Sequence, residues 1–504
     1  MKRSDCTSRT IVIMAALMMI GIFAFFVPAG EGLSFTTDND VVKDGRDQRK
    51  YDIASYGSGD DAEVYVVYED YSVGSDPHVF FHRSLNAGET WQTPTDFMPI
   101  DPINLDKQIS PAVDIHVDGT DVTIAVAFMD STYRELPNLV DWVIAVKISI
   151  DHGATWSVNH LVTPITSVNY PNDKIKDPTI AFDPYGNLFV SWTGLEGQDR
   201  IDMAYSTDFG LTWSGIQQVP DHSMPQSSDY DHELSSLASD GQYVFVSWTD
   251  ESEYRPMAWF AKAPASSLGG YPSLSFSVPQ RVATEKPIDY DTYWPKFVAD
   301  TNGVHLVWWD FVTDPGGGNN QDVYLDKPSV KYTRSNDHGA TWSVGGKNDI
   351  IVNTSDPKGW HSAPDIDIGE DGTLAVTWMD YTLKKPNIFV TVSSDMGSTW
   401  SKPARANDHY PTIYREKPVV AVDSGGDAHA MWTYREDVDM DWDLKHSRSI
   451  VNIPPEPIDD LIFIVVDEEL GMVGWTPNRE PDFQMYKTYI SEDKNFTISD
   501  EPGG

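Results

Sequence analysis

Residue types that hold sugars gather along this chain in short mixed clusters. Tyr230-Asp231-His232-Glu233, Tyr290-Asp291-Thr292-Tyr293-Trp294, Lys358-Gly359-Trp360-His361 and Tyr414-Arg415-Glu416-Lys417 each set aromatic rings beside carboxylates or cations. A second set follows short apolar runs: Asp130 with Arg134 and Glu135, Asp250 with Glu251 and Arg255, and Arg435-Glu436-Asp437. Aromatic faces stack on sugar rings while carboxylates and guanidinium groups bond the hydroxyls. The ligand-binding candidates are therefore Tyr230, Asp231, Tyr293, Trp294, Trp360, His361, Arg134 and Arg415. A structural reading competes for the acids. Asp70, Asp130, Asp250, Asp310 and Asp380 all fall just after an aromatic that ends an apolar run. A residue that recurs in this way serves a repeat, whereas chemistry on one ligand needs residues that break the pattern.

The elements that must position these clusters are written in the most regular phrase of the chain, Ser-x-Asp-x-Gly-x-Thr-Trp. It occurs at Ser149–Trp156, Ser206–Trp213, Ser335–Trp342 and Ser393–Trp400, and at Ser84–Trp91 with Asn86 in place of the acid. Each copy follows an apolar or alternating run such as Trp142–Ile148 or Ile388–Val392 and precedes another extended stretch, so the octet is a hairpin turn. Asp151, Asp208, Asp337 and Asp395 can accept bonds from amides a few residues on, and the glycine supplies a positive φ. Trp91, Trp156, Trp213, Trp342 and Trp400 are plates that wedge between neighbouring strands. Every position of the octet has a structural task.

These octets resemble the Asp boxes of the sialidase-like (BNR-repeat) β-propellers, and the resemblance extends over about residues 45–453. The octet serines are separated by 65, 57, 129 and 58 residues, so the third interval holds two units. A second phrase, a Pro or small residue opening an apolar strand that turns at Gly and ends on an aromatic, fills the gap. It runs over Asp177–Trp192, Ser236–Trp248, Trp294–Trp309, Ala363–Trp378 and Lys417–Trp432, with looser copies at Ser110–Phe128 and Tyr51–Tyr68. The expectation is an all-β, seven-bladed β-propeller of four-stranded antiparallel blades, with six blades, as in true sialidases, as the alternative. The segment 33–44 reads as a fourth strand that completes the last blade and hides its edge. The octets then line one face, and a ligand site belongs on the other.

A sialidase would add three arginines that grip the substrate carboxylate, a Tyr–Glu pair and an acid; arginine's planar fork suits the grip. The family's Arg-Ile-Pro phrase is absent, and Gln48-Arg49-Lys50-Tyr51 stands in its place. Arg255, Arg415 and Arg435, with Tyr414, Glu416 and Asp231, are the catalytic candidates on this reading. The acidic runs Asp437–Asp443 and Asp314–Asp322 offer oxygen ligands that suit calcium, although neither matches a known loop and strand alternation explains the first. No cofactor is otherwise expected.

Lys2, Arg3 and Arg9 precede an apolar run from Ile11 to Val27 and then Pro28-Ala29-Gly30. This pattern is that of a secretory signal, or of a membrane anchor if it is retained, and residues 1–30 are assigned to it. Cys6 is the single cysteine, so the exported part holds no disulfide. A net charge of −41 excludes nucleic acid as a partner. Beyond the wheel (33–453), residues 454–460 are a Pro-rich linker, and 461–504 resemble the opening of a fibronectin type III sandwich, giving a partial β-sandwich at the C-terminus. The sequence points to a secreted or cell-surface propeller, with no membrane contact except through its ends. The expected task is to bind glycan or protein through the face opposite the octets. A sialidase-type glycosidase and a structural surface-layer module are the alternatives.

Overall fold

A computed structural model describes residues 33–450 outside the segments 44–46, 72–75, 99–106, 132–141, 164–174, 195–199, 221–231, 251–255, 266–273, 283–289, 313–327, 343–349, 352–359, 382–384, 409–412 and 437–440, together with residues 462–465 and 471–474. Its contacts divide the chain into a unit ending at Ile450 and a second, Val451–Gly504. In the second, Ile462–Val465 and Gly471–Gly474 form an antiparallel pair. The remainder of the sandwich expected there, and the N-terminal segment 1–30, lie outside the described residues. Among the described residues no helix is long and apolar enough to cross a membrane.

Seven antiparallel sheets follow one another, one for each sequence unit. Blade one consists of Gln48–Tyr56, Glu63–Asp70, His78–Ser84 and Thr95–Asp96, each hydrogen-bonded to the next. Blades two to six repeat this order from first strands Gln108–Asp118, Ile175–Phe182, His232–Ser239, Tyr290–Asp300 and His361–Ile368. Blade seven takes Tyr414–Val422, Ala428–Arg435 and Asp443–Ile450 from the end of the unit. Its outer strand comes from the other end: Ser34 lies opposite Ile450 and Asn39 opposite His446. The predicted closure is therefore observed, and the count is seven rather than six. Each first strand lies against those of both neighbouring blades, and Tyr414–Val422 against Gln48–Tyr56 completes the circle.

The sequence dictates this arrangement through its second strands. Leu188–Gly194 and Leu374–Asp380 are buried along their whole length because a neighbouring blade covers each face, which is why they read as continuous apolar runs. At one equivalent position each second strand carries a fully buried aromatic: Tyr68, Phe128, Trp192, Trp248, Trp308, Trp378 and Trp432. In blade five the buried plate is Trp308, so the unit assigned to Trp309 ends one residue later than its true equivalent. Trp309 takes the next position, where period-two alternation turns it to the other face of the sheet.

All five octets join third to fourth strands. In Ser149–Trp156, Ser149 Oγ donates to Asp151 Oδ1 (2.8 Å) and accepts from Gly153 N (2.8 Å); Asp151 also accepts from Thr155 N (2.8 Å) and Thr155 Oγ1 (2.6 Å). The tryptophan then reaches the preceding blade. Trp156 meets Phe81 and Phe97 edge-on at 4.7 and 4.8 Å, Trp342 meets Phe260 at 5.4 Å, and Trp400 meets Tyr332 at 4.9 Å. Trp91 meets His446 of blade seven at 5.7 Å, the same staple across the closure.

Candidate functional site

Strand polarity separates the two faces. Octets and the turns between first and second strands lie at one end of each blade; the starts of first strands and the ends of second strands lie at the other. The axial cavity, about 530 Å³, is lined by residues of all seven first strands and by none of the octets. Its carboxylates serve the wheel. Asp52 accepts from Val113 N (2.9 Å), Asp114 from Phe182 N (2.6 Å), Asp365 from Val420 N (3.0 Å) and Asp367 from Val422 N (2.7 Å), each across a blade boundary. Burial pushes Asp52 up to about 6 and Asp114 and Asp367 up to about 7, although each accepts amide bonds. Lys296 is the one lysine or arginine among the lining residues, and its charge opposes that rise at Asp52 and Asp365.

At the end away from the octets every first strand carries a register shift at the same point, for example between Ile109 and Ala112, Lys176 and Thr179, and Tyr293 and Lys296. These are β-bulges. In six of the seven blades the bulged residue has a positive φ without being glycine: Lys50 (36°), Ser110 (53°), Asp177 (46°), Trp294 (48°), Ala363 (51°) and Lys417 (51°). In five of these six, proline follows. Proline is tolerated because a bulge leaves a ladder position unpaired. The bulge also exposes its own N–H, and the preceding blade supplies an acceptor: Glu69 Oε1 for Ser110 (2.6 Å), Thr249 Oγ1 for Trp294 (3.0 Å) and Met379 Sδ for Lys417 (3.1 Å). Backbone geometry is thus common to the blades while the side chains around the channel mouth differ. Local strain of this kind gathers at functional sites.

The differences concentrate polar chemistry on blades one to three. Lys50 Nζ donates to Ser110 Oγ (3.0 Å) and pairs with Asp177, while Ser110 Oγ donates to Asp177 Oδ1 (3.1 Å). Glu69 stands where blades four and six use neutral acceptors, and burial raises its carboxyl above the usual range. Tyr71 donates to Glu69 (3.3 Å), and Arg49 lies 5.4 Å over the Tyr71 ring. None of these residues stood among the sequence candidates. The available signal was the Gln48-Arg49-Lys50-Tyr51 phrase, which occupies a bulge without its proline.

The sequence candidates land in three groups. Tyr230, Asp231, Arg134 and Arg255 lie outside the described residues, as do the run Asp314–Asp322 and residues 437–440 of the other acidic run. Tyr293 and Trp294 pack on Trp309, at 5.1 Å stacked and 6.0 Å edge-on, and form an aromatic shelf on blade five. Trp360 is exposed, but His361 is buried 3.3 Å from Asp380. Around blade seven, Tyr414 is exposed, with Lys385 3.6 Å and Arg435 5.4 Å from its ring; Arg435 also lies 4.8 Å over Trp442. Arg415 is turned away from this group. It is buried and donates to the carbonyls of Ile413 (3.3 Å), Pro386 (3.5 Å) and Asp408 (3.2 Å), the last two on blade six. The Glu416 carbonyl accepts from Tyr51 OH (2.9 Å). The acids that follow the buried aromatics are themselves buried, and Asp130 holds Gln108 (3.1 Å) and Asn159 (2.8 Å), as the structural reading expects. Among the described residues no group of three or more His, Cys, Asp or Glu is placed to hold a metal ion.

Comparison with known proteins gives likeness in structure alone. No family profile and no curated relative matches the chain. The structure is similar to a PL25 ulvan lyase (12% identity, 82% of this chain and 95% of that one, TM-score 0.48). It is also similar to the GH93 α-L-arabinofuranosidase of Fusarium graminearum (15%, 68% and 93%, 0.42) and to the phage phi92 endosialidase (12%, 91% and 77%, 0.42). Those proteins act on glycans. At such identity and overlap the likeness assigns neither activity nor substrate to this chain.

Proposed function

We propose that this protein is an exported, secreted or cell-surface propeller that binds a glycan through the channel mouth opposite the octets. The observation that carries the reading is the ring of bulges. One backbone geometry presents Lys50, Ser110, Asp177, Trp294, Ala363 and Lys417 around a single opening, so the side chains vary where the scaffold does not. The octets bind their own turns and the preceding blade, which supports a structural task for them. The basic-then-apolar N-terminus supports export.

A glycan array probed with the full chain tests the reading. Binding that weakens on changing mouth residues and survives octet changes supports it; a blank array removes it. The rival hydrolase reading needs arginines that converge on one cavity, and the contacts of Arg415 with main-chain carbonyls speak against that. Turnover of a fluorogenic sialoside that is lost in Arg415→Ala, with folding retained, would restore the rival.

A further inference from the structure

We infer that the Lys50–Ser110–Asp177 cluster is a subsite for the hydroxyl pair of an uncharged sugar. This rests on the glycan-binding reading above and names its ligand class. The three residues come from three successive blades at equivalent bulge positions, so the wheel fixes their relative placement.

Their bonding leaves a matched pair of open positions. An ammonium has three donors, and Lys50 directs one to Ser110 and one to Asp177. Asp177 Oδ1 accepts from both Lys50 and Ser110, which leaves Oδ2 without a hydrogen bond among the described residues. The side chains of Lys50 and Asp177 keep 47% and 31% of their exposure, so water or a ligand reaches both. A donor beside an acceptor is the complement of two neighbouring hydroxyls, one accepting from Nζ and the other donating to Oδ2. Ser110 is buried and holds the pair in register.

Charge selects against anionic sugars. Lys50 and Asp177 neutralise each other, so neither is spare for a counter-charge. A uronate or sulfate would meet Asp177 in front, Glu69 behind and a molecule of net charge −41 around it. An uncharged polyol avoids that penalty.

The test is affinity electrophoresis of the full chain through gels cast with neutral polysaccharides (galactan, arabinan, glucomannan, xyloglucan) or with polygalacturonate, alginate or hyaluronan. The expected result is retardation in at least one neutral gel and in no acidic gel. Lys50→Met and Asp177→Asn should each weaken it about tenfold or more, the scale of losing a hydrogen bond to a charged group. Asp151→Asn, in an octet, should leave it unchanged. Retardation in acidic gels, or neutral binding that persists in Lys50→Met and Asp177→Asn, would overturn the subsite while sparing the glycan reading. No retardation in any gel would overturn both. If the substitutions prevent folding, the wild-type preference between neutral and acidic gels still decides.

Discussion

Asp337 accepts from Thr341 Oγ1 (2.5 Å), Thr341 N (2.7 Å) and Ser335 Oγ (2.7 Å), and these bonds, the Thr341 hydroxyl foremost, hold its carboxyl down to about 2. A folded pKa below the unfolded value of ~3.9 contributes stability at neutral pH that is lost as pH falls through the folded value. Asn86 is the natural counterpart. One oxygen takes both Thr90 bonds, at 3.0 and 3.2 Å, because an amide nitrogen cannot accept. The octet glycines carry a double constraint. Gly88 has φ +84°, and a Cβ there would lie 2.1 Å from the His446 ring, whereas Gly59 has φ +62° and open space around it. Gly59→Ala should therefore cost about 1 kcal/mol for the backbone conformation alone. Gly88→Ala should cost about 3 kcal/mol or more, because His446 is buried and cannot retreat. Urea melts of the two variants measure the difference, and equal costs would contradict the packing account.

At the scale of elements, the strand Asn39–Val42 is the latch of the wheel. Val41 is buried with Tyr51, Ile53 and Leu444, so the strand packs on both blade seven and blade one. Removing residues 33–42 would leave Asp443–Ile450 as an open edge next to an uncovered apolar seam. The truncated chain should melt lower than the intact one and form oligomers visible by light scattering; a monomer of unchanged melting temperature would show that the latch is dispensable. This element was legible in the sequence because Asn39-Asp-Val-Val42 has the residue pattern of Asn348-Asp-Ile-Ile-Val352, where Ile350–Ile351 is the outer strand of blade five. The octets were legible for the same reason, since each is local and repeats with fixed spacing. The Lys50–Ser110–Asp177 cluster was not. Its members differ in type, come from separate blades and lie 60 and 67 residues apart, so only the closed wheel brings them together. The buried state of His361 and Arg415 was equally hidden: a strand-end residue reads the same whether it turns toward the mouth or into the seam between blades.

For the whole molecule, the axial carboxylates predict how stability depends on pH. Asp114 and Asp367 have folded values of about 7, raised chiefly by burial, so these two groups hold more protons in the folded wheel than in the unfolded chain above ~pH 4. Their favourable contribution is complete at low pH and is lost as pH rises through about 7. Buried His446, His305 and His82 are shifted down by burial and act in the opposite sense below ~pH 6.5, where the unfolded chain protonates them. The clean window is therefore pH 6.5 to 8. There the wild type should lose stability relative to Asp114→Asn/Asp367→Asn, at up to about 1.4 kcal/mol per pH unit for each extra proton held by the folded state. Parallel melting curves across that window would refute this. The same polarity that orders the channel sets what each face does. Leu33 and Ile450 both lie at the octet end, and on the proposed reading the bulged mouth at the other end takes the ligand. Hydrogen–deuterium exchange of the full chain, with and without a polysaccharide that retards it, tests this division most directly. Protection should appear at residues 48–50, 108–110 and 175–177 and be absent from the five octets. Protection centred on the octets, with the bulges unchanged, would contradict it.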